Sequence, residues 1–321
     1  MEKDYKHTME YCGDWKINTG ALGFKMNNDY LFRALLQSDE ETLKYIIASA
    51  MGIDVREIRD ILVTNPILLG DTIDDKELHL DVKTLVEYEK DKIKVINLEM
   101  QLVRHEGWIE RSVQYVCRAF DSLVHGNKYA EACGVWQISF CDFTLFTESP
   151  AFLSDYMLIN TKDIRQIYTD KLRISNINLK AINMATDEDR RSGLVLWARL
   201  FKAESWEELI MLANENPVVD QTVSSVWQLS QDRAIREQMQ RREENEYFWE
   251  STLESMRRKV EEAEREAEER VKEAEKKAEE TIKVAEKKAK EASKEAVKKA
   301  VAEKNLEIEE LKKRIRELEN S

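Results

Sequence analysis

Two neighbouring stretches decide the fold: LHLDVKTLVEY (78–88) and KIKVINLEMQLV (92–103). The first alternates apolar and polar residues from Leu78 to Val82 and then loosens. The second alternates at Ile93 and Val95 before turning almost continuously apolar. Period-two alternation is the mark of a strand with one buried face. The short polar turn Glu89-Lys90-Asp91 between them makes the pair a β-hairpin.

Working outward, the segment 28–51 (NDYLFRALLQSDEETLKYIIASAM) predicts two helices, with Leu31, Leu35 and Leu36, then Leu43, Ile46, Ile47 and Ala50, at helical spacing. Ser38 is read as the cap of the second helix, and Gly52 ends it. A strand is expected over Ile58 to Val63. After the hairpin, Ile109, Val113, Val116, Phe120 and Leu123 predict a helix from Trp108 to about Val124. GVWQISFCDFTLF (134–146) reads as a further strand, followed by weaker strands at 152–159 and 172–179. From Thr186 the pattern is helical, with Leu194, Trp197, Leu200 and Phe201 on one face. Mixed strands and helices in this order predict an α/β domain over 1–183 and a helical extension over 184–230.

From 231 to 321 the chain becomes one long helical run. The last Gly is Gly193 and the last Pro is Pro217, so this stretch contains neither helix breaker. Val260, Ala263, Ala267, Val271, Ala274, Ala278, Ile282, Ala285 and Ala289 repeat with spacings of three, four and four. That eleven-residue period keeps a stripe on one side with a right-handed drift. From Ile308 the spacing shortens to a heptad stripe through Leu311, Ile315 and Leu318. A coiled-coil stalk pairing two subunits is expected, reaching ~120 Å over ~80 helical residues. A solitary helix held by Glu–Lys pairs four residues apart is the alternative.

Composition narrows the function classes. The chain has 321 residues, 42% of them hydrophobic and 35% charged, with a formal net charge of −13. The tail from 231 is nearly balanced at −2, which leaves −11 on the residues before it. A nucleic-acid binder is expected to present a basic surface, so only a local edge such as Arg104, Arg111, Arg118 and Lys128 would serve. No stretch reaches the ~18 uncharged apolar residues of a membrane span. An N-terminus bearing Glu2, Lys3, Asp4 and Lys6 lacks a secretory apolar region, so a cytoplasmic location is expected. Cys12, Cys117, Cys133 and Cys141 show no zinc-like spacing and read as reduced thiols. No GxxxxGK[ST] or GxGxxG loop is present, which removes support for nucleotide chemistry.

The hairpin holds the chemistry. Asp81 falls in its first strand, and Glu99 and Gln101, two residues apart, share a face of its second. Two carboxylates converging from neighbouring strands form the oxygen-rich site that Mg²⁺ takes. A metal held there polarises a phosphate and lowers the pKa of attacking water. Glu99 lies within an apolar run, and burying its charge requires a metal, a partner or water. His79 falls on the face of Asp81, where an exposed strand histidine is the plainer reading; His7, His105 and His125 share no spacing with acids or cysteines. Trp197, Trp206 and Trp227 read as packing residues.

Asn28-Asp29-Tyr30-Leu31-Phe32-Arg33, Leu80-Asp81-Val82, Asn97-Leu98-Glu99-Met100-Gln101 and Arg111 with Tyr115 together resemble the recombination-promoting nuclease/transposase family of the PD-(D/E)XK nuclease superfamily. Leu196-Trp197 and the Arg241-Arg242-Glu243 region extend the likeness over about residues 24 to 250. The resemblance implies a restriction-endonuclease-like mixed sheet flanked by helices; the helical region and the long C-terminal coiled-coil helix that follow are read from the pattern above, and the tail beyond about 255 lies outside the likeness. It implies cleavage of DNA phosphodiesters with Mg²⁺ or Mn²⁺ held by Asp81 and Glu99. Gln101 stands where most of the superfamily has Lys, and Gln supplies neither positive charge nor a base. Lys83, on the strand face of Asp81, or Arg111 is the candidate for that charge. Asp29 matches an acidic position that supports the metal, unless it caps its helix. Tyr115, one turn after Arg111, faces the site or packs in the core. Double-strand cutting needs two active sites, which gives a dimer formed through the C-terminal helix a purpose. A catalytically idle interaction module on a helical scaffold is the alternative function.

Overall fold

The computed structural model describes residues 14–66, 82–88, 92–104, 107–121 and 133–319. Helices α1 (Asp29–Ser38) and α2 (Glu40–Met51) lead into strand β1 (Ile58–Val63) and the hairpin strands β2 (Val82–Tyr88) and β3 (Lys92–Gln101). Helix α3 (Trp108–Asp121) crosses to β4 (Gly134–Cys141), and β5 (Leu153–Asn160) turns back into β6 (Asp163–Asn178). Then follow α4 (Asp187–Arg191), α5 (Leu194–Lys202), α6 (Trp206–Glu215), α7 (Pro217–Gln231) and α8 (Arg233–Glu319).

The six strands form one mixed sheet in the order β1-β2-β3-β4-β6-β5. β1, β2 and β3 are antiparallel, β4 is parallel to both β3 and β6, and β5 is antiparallel to β6. The mixed α/β sheet flanked by helices is the expected class. Register assigns the faces. Val82 pairs with Leu98 and Thr84 with Ile96, and Ile138 and Phe140 stand beside Leu98 and Met100. This set is buried in the main core with α1, α2, α5, α6 and α7. Phe32, Phe140 and Phe201 meet edge to face there, with ring centroids 5.1–5.9 Å apart. The alternate residues face α3, where Val116 packs on Val95 and Val135.

Local chemistry sets the helix ends. Asn28 caps α1, its side-chain oxygen accepting from Tyr30 N and Leu31 N, both at 3.1 Å. Its amide donates to Met239 O of α8 at 3.0 Å, so one residue starts a helix and ties it to a distant one. The cap of α2 is Asp39 rather than the expected Ser38: Asp39 accepts from Thr42 N, Ser225 Oγ and Gln221 Nε2. Gly52 ends α2 at φ +68°, a conformation that glycine adopts freely.

The strands differ from expectation at two ends. β4 stops at Cys141 rather than Phe146, and Phe143 and Leu145 leave the ladder to pack beside Trp108. β6 begins at Asp163, nine residues before the expected 172. Residues read as a helical extension, among them Trp197, Leu209 and Val226, belong to the same buried cluster as α1 and α2. The chain divides into two compact units at Glu250/Ser251. No helix among the described residues is long and apolar enough to cross a membrane.

Candidate active site

The α3-facing side of β3 and β4 is apolar at one end and polar at the other. Along β3, Val95 gives way to Asn97, Glu99 and Gln101; along β4, Val135 gives way to Gln137 and Ser139. Parallel pairing sets Asn97 beside Gln137 and Glu99 beside Ser139. Asn97, Glu99, Gln137 and Ser139 are all buried. Burying so many polar groups is tolerable only where they satisfy one another.

Glu99 is the hub. Its carboxylate, 3% exposed, accepts from Gln101 Nε2 at 2.6 Å and from the Arg111 guanidinium at 2.5 Å, both on Oε1. Gln137 Nε2 donates to Oε2 at 3.2 Å and to Ser139 Oγ at 3.1 Å. Asn97 Nδ2 donates to Gln137 Oε1 at 2.6 Å, which fixes the orientation of the Gln137 amide. Asn97 Oδ1 and Arg111 Nε remain buried without a hydrogen-bond partner, so the network keeps one acceptor and one donor in reserve.

α3 delivers Arg111 to this point. Gly107, at φ +77°, starts the helix, and Arg111 N donates to Gly107 O at 2.9 Å. The guanidinium lies 5.2 Å from the Trp108 ring centroid and 5.4 Å from that of Tyr115. Residues three before and four after share a helix face with Arg111, so the two rings clasp it. The thiol of Cys141 sits at the same end. Burial, and then the negative charge of Glu99, push its ionisation far above the usual thiol range.

A second polar cluster borders the end of β3. Asp142 N donates to Gln101 O at 2.8 Å. The Asp142 carboxylate accepts from Lys202 Nζ at 3.1 Å and Asn27 Nδ2 at 3.2 Å. A cavity of about 550 Å³ opens beside it, lined in part by Phe24, Glu243 and Glu246.

A protein-family model, PD-(D/E)XK nuclease family transposase, matches residues 26–256. The chain belongs to this family. Comparison with curated proteins and with solved structures gives no match. For a member of the PD-(D/E)XK nuclease family transposases, the arrangement brings together Glu99, Gln101 and Arg111, with Tyr115 stacked on the last. Asp81 and His79 lie outside the described residues. Lys83 pairs with Asn97 across β2 and β3, and so lies on the Glu99 face of the sheet. Asp29 is the first residue of α1 and not its cap, and its carboxylate lies 3.6 Å from Arg242. Burial holds its pKa above the ordinary value, against the opposing pull of Arg242. Of the expected basic edge, Arg111 is committed to Glu99, Arg104 and Arg118 are exposed, and Lys128 lies outside the described residues.

The sequence reading did not single out Asn97, Gln137, Ser139, Trp108 or the Asp142–Lys202 pair as site residues. Gln137 and Ser139 had a signal: they alternate with Trp136, Ile138 and Phe140 in a strand buried on both faces. No three His, Cys, Asp or Glu side chains converge among the described residues. Even so, the donor set around Glu99 suits a hard divalent ion. It offers a carboxylate, amide oxygens including the unmet Asn97 Oδ1, and no ionised thiolate. The Arg111 guanidinium already occupies one cationic position against Glu99.

Proposed function

We propose that this protein is a divalent-metal-dependent DNA endonuclease whose centre is built on Glu99. The observation that carries the reading is a nearly inaccessible carboxylate that accepts from Gln101, Gln137 and a clasped arginine. A buried charge supported in this way needs cationic compensation. Asp81 is the second carboxylate of the proposal: it is the sequence neighbour of Val82, whose partner Leu98 is the sequence neighbour of Glu99. A Mg²⁺ or Mn²⁺ ion held by Asp81 and Glu99 would supply the polarisation of the scissile phosphate and the activation of water.

The remaining roles belong to the protein. Gln137 and Gln101 fix the two oxygens of Glu99. Gln101 donates a hydrogen bond and takes no proton, so it orients and does not act as a base. Arg111 brings positive charge to the face of Glu99. Lys83, on the same sheet face, adds charge for the DNA backbone. Asp29 supports the site from α1. Two copies joined through α8 would place two centres on one duplex, in keeping with DNA recombination or mobile-element activity in the cytoplasm.

An inactive interaction module is favoured by two observations: Gln101 where the superfamily has Lys, and a net charge of −13. Incubating the full chain with supercoiled plasmid and Mg²⁺ or Mn²⁺, beside Asp81→Ala, separates the two. Nicking by the parent and not by the variant is expected. Equal nicking by both removes the proposed centre, and no nicking with either ion leaves the module. DNA affinity should also fall steeply from low to moderate salt if phosphates are contacted.

A further inference from the structure

From Glu254 to Arg316 every side chain of α8 is exposed in a single copy. Val260, Val271, Ile282, Val297 and Val301 are each more than half exposed. Pairs within the helix, such as Arg258–Glu254, Arg270–Glu266 and Lys277–Glu273, support the helix itself. They do not cover its aliphatic stripe, whose eleven-residue period is that of a supercoiled partner helix.

The charges along the helix say which partner fits. Residues 261–280 carry ten Glu against five Lys and Arg, whereas 281–300 carry seven Lys against three Glu. Flanking them, 251–260 carry three basic residues and one Glu, and 301–310 carry four Glu and one Lys. The sign of the net charge therefore inverts about residue 280, both in the inner blocks and in the outer ones. A parallel pair would lay every block against its like. An antiparallel pair lays 261–280 on 281–300 and 251–260 on 301–310, opposite signs throughout.

We propose that two copies of this chain pair through residues 251–310 of α8 as an antiparallel, right-handed coiled coil with its midpoint near residue 280. At 1.5 Å per residue this sets the two residue-251 positions about 90 Å apart, so the pairing serves two separated contacts on DNA rather than two cuts at one point, and it stands whether or not the Glu99 centre cleaves DNA. Packed helix axes lie about 8–10 Å apart. That is close to the Debye length at 0.1 M salt, so the block charges act across the interface and fade as salt rises.

Sedimentation equilibrium of the full chain tests it. The parent should be a dimer that weakens with salt. Glu264→Lys with Glu266→Lys and Glu268→Lys should weaken it by about tenfold or more. Lys288→Glu with Lys290→Glu and Lys299→Glu should do the same. Combining all six restores the complementarity and should return the dimer to near parental strength. A monomer at every concentration, a dimer indifferent to both sets, or tightening by either set overturns the proposal, and the last result would indicate parallel helices. Circular dichroism of each variant checks that the helix persists. Plasmid nicking by the same samples separates the two readings: a cutting monomer sinks the pairing alone, and an inert antiparallel dimer sinks the cleavage alone.

Discussion

The two faces of the central sheet are built from the same strands and do opposite things. On one face Val82, Ile96, Leu98, Met100, Ile138 and Phe140 meet the helices in a dry core. On the other, Asn97, Glu99, Gln137 and Ser139 are buried just as deeply and spend that burial on one another. Burial by itself therefore does not distinguish a core residue from a site residue here. The distinction lies in what each buried atom meets. Apolar groups gain from leaving water, whereas polar groups break even only when paired.

Substitutions on the two faces should separate stability from activity. The largest expected effect is on the dry face: Ile138→Ala should cost about 2–5 kcal/mol in a denaturant titration, with cleavage per folded molecule retained. On the polar face, Glu99→Gln should lower nicking by about 100-fold or more, above the usual cost of losing a supporting group, while unfolding stays cooperative. Gln137→Leu should be milder. It removes the donor that holds Glu99 Oε2, and a loss of about 10–100-fold in cleavage is expected. Should Ile138→Ala abolish cleavage in the folded fraction, or Gln137→Leu leave it intact, the division of labour between the faces fails.

The smallest effect lies at the edge of the site. Burial raises the pKa of Asp29 above its unfolded value, so the folded state holds this proton more tightly. Stability contributed by the protonated form is present below the ordinary carboxylate range and is lost as pH rises through the raised folded value. Asp29→Asn should therefore raise the unfolding temperature at pH 7, by a margin that shrinks toward pH 4. An equal shift at both pH values would show that Asp29 carries no such linkage.

Much of this was legible in the sequence, for physical reasons. The β2–β3 hairpin showed through its alternation; Arg111 with Tyr115 came from the family resemblance, and their four-residue spacing set both on one helix face. Glu99 stood out as an acid in an apolar run. Gln137 and Ser139 did not, because a strand buried on both faces reads as an apolar run interrupted by chance. The first half of β6 was hidden for the opposite reason: Ile164 to Tyr168 is exposed, so no buried face stamps a period on it. The contact of Asp29 with Arg242, and of Asn28 with Met239, joins residues more than two hundred positions apart, which no local pattern encodes. Ser38 lost the cap to Asp39 because the carboxylate also gathers Gln221 and Ser225 from α7.

The central claim is that the carboxylate of Glu99 holds a divalent cation for phosphodiester cleavage. Mn²⁺ titration of the full chain, followed by the loss of the free-ion electron paramagnetic resonance signal, tests it without relying on activity. The account predicts saturable uptake by the parent and its loss in Glu99→Gln. Uptake of the same strength by both proteins would contradict it.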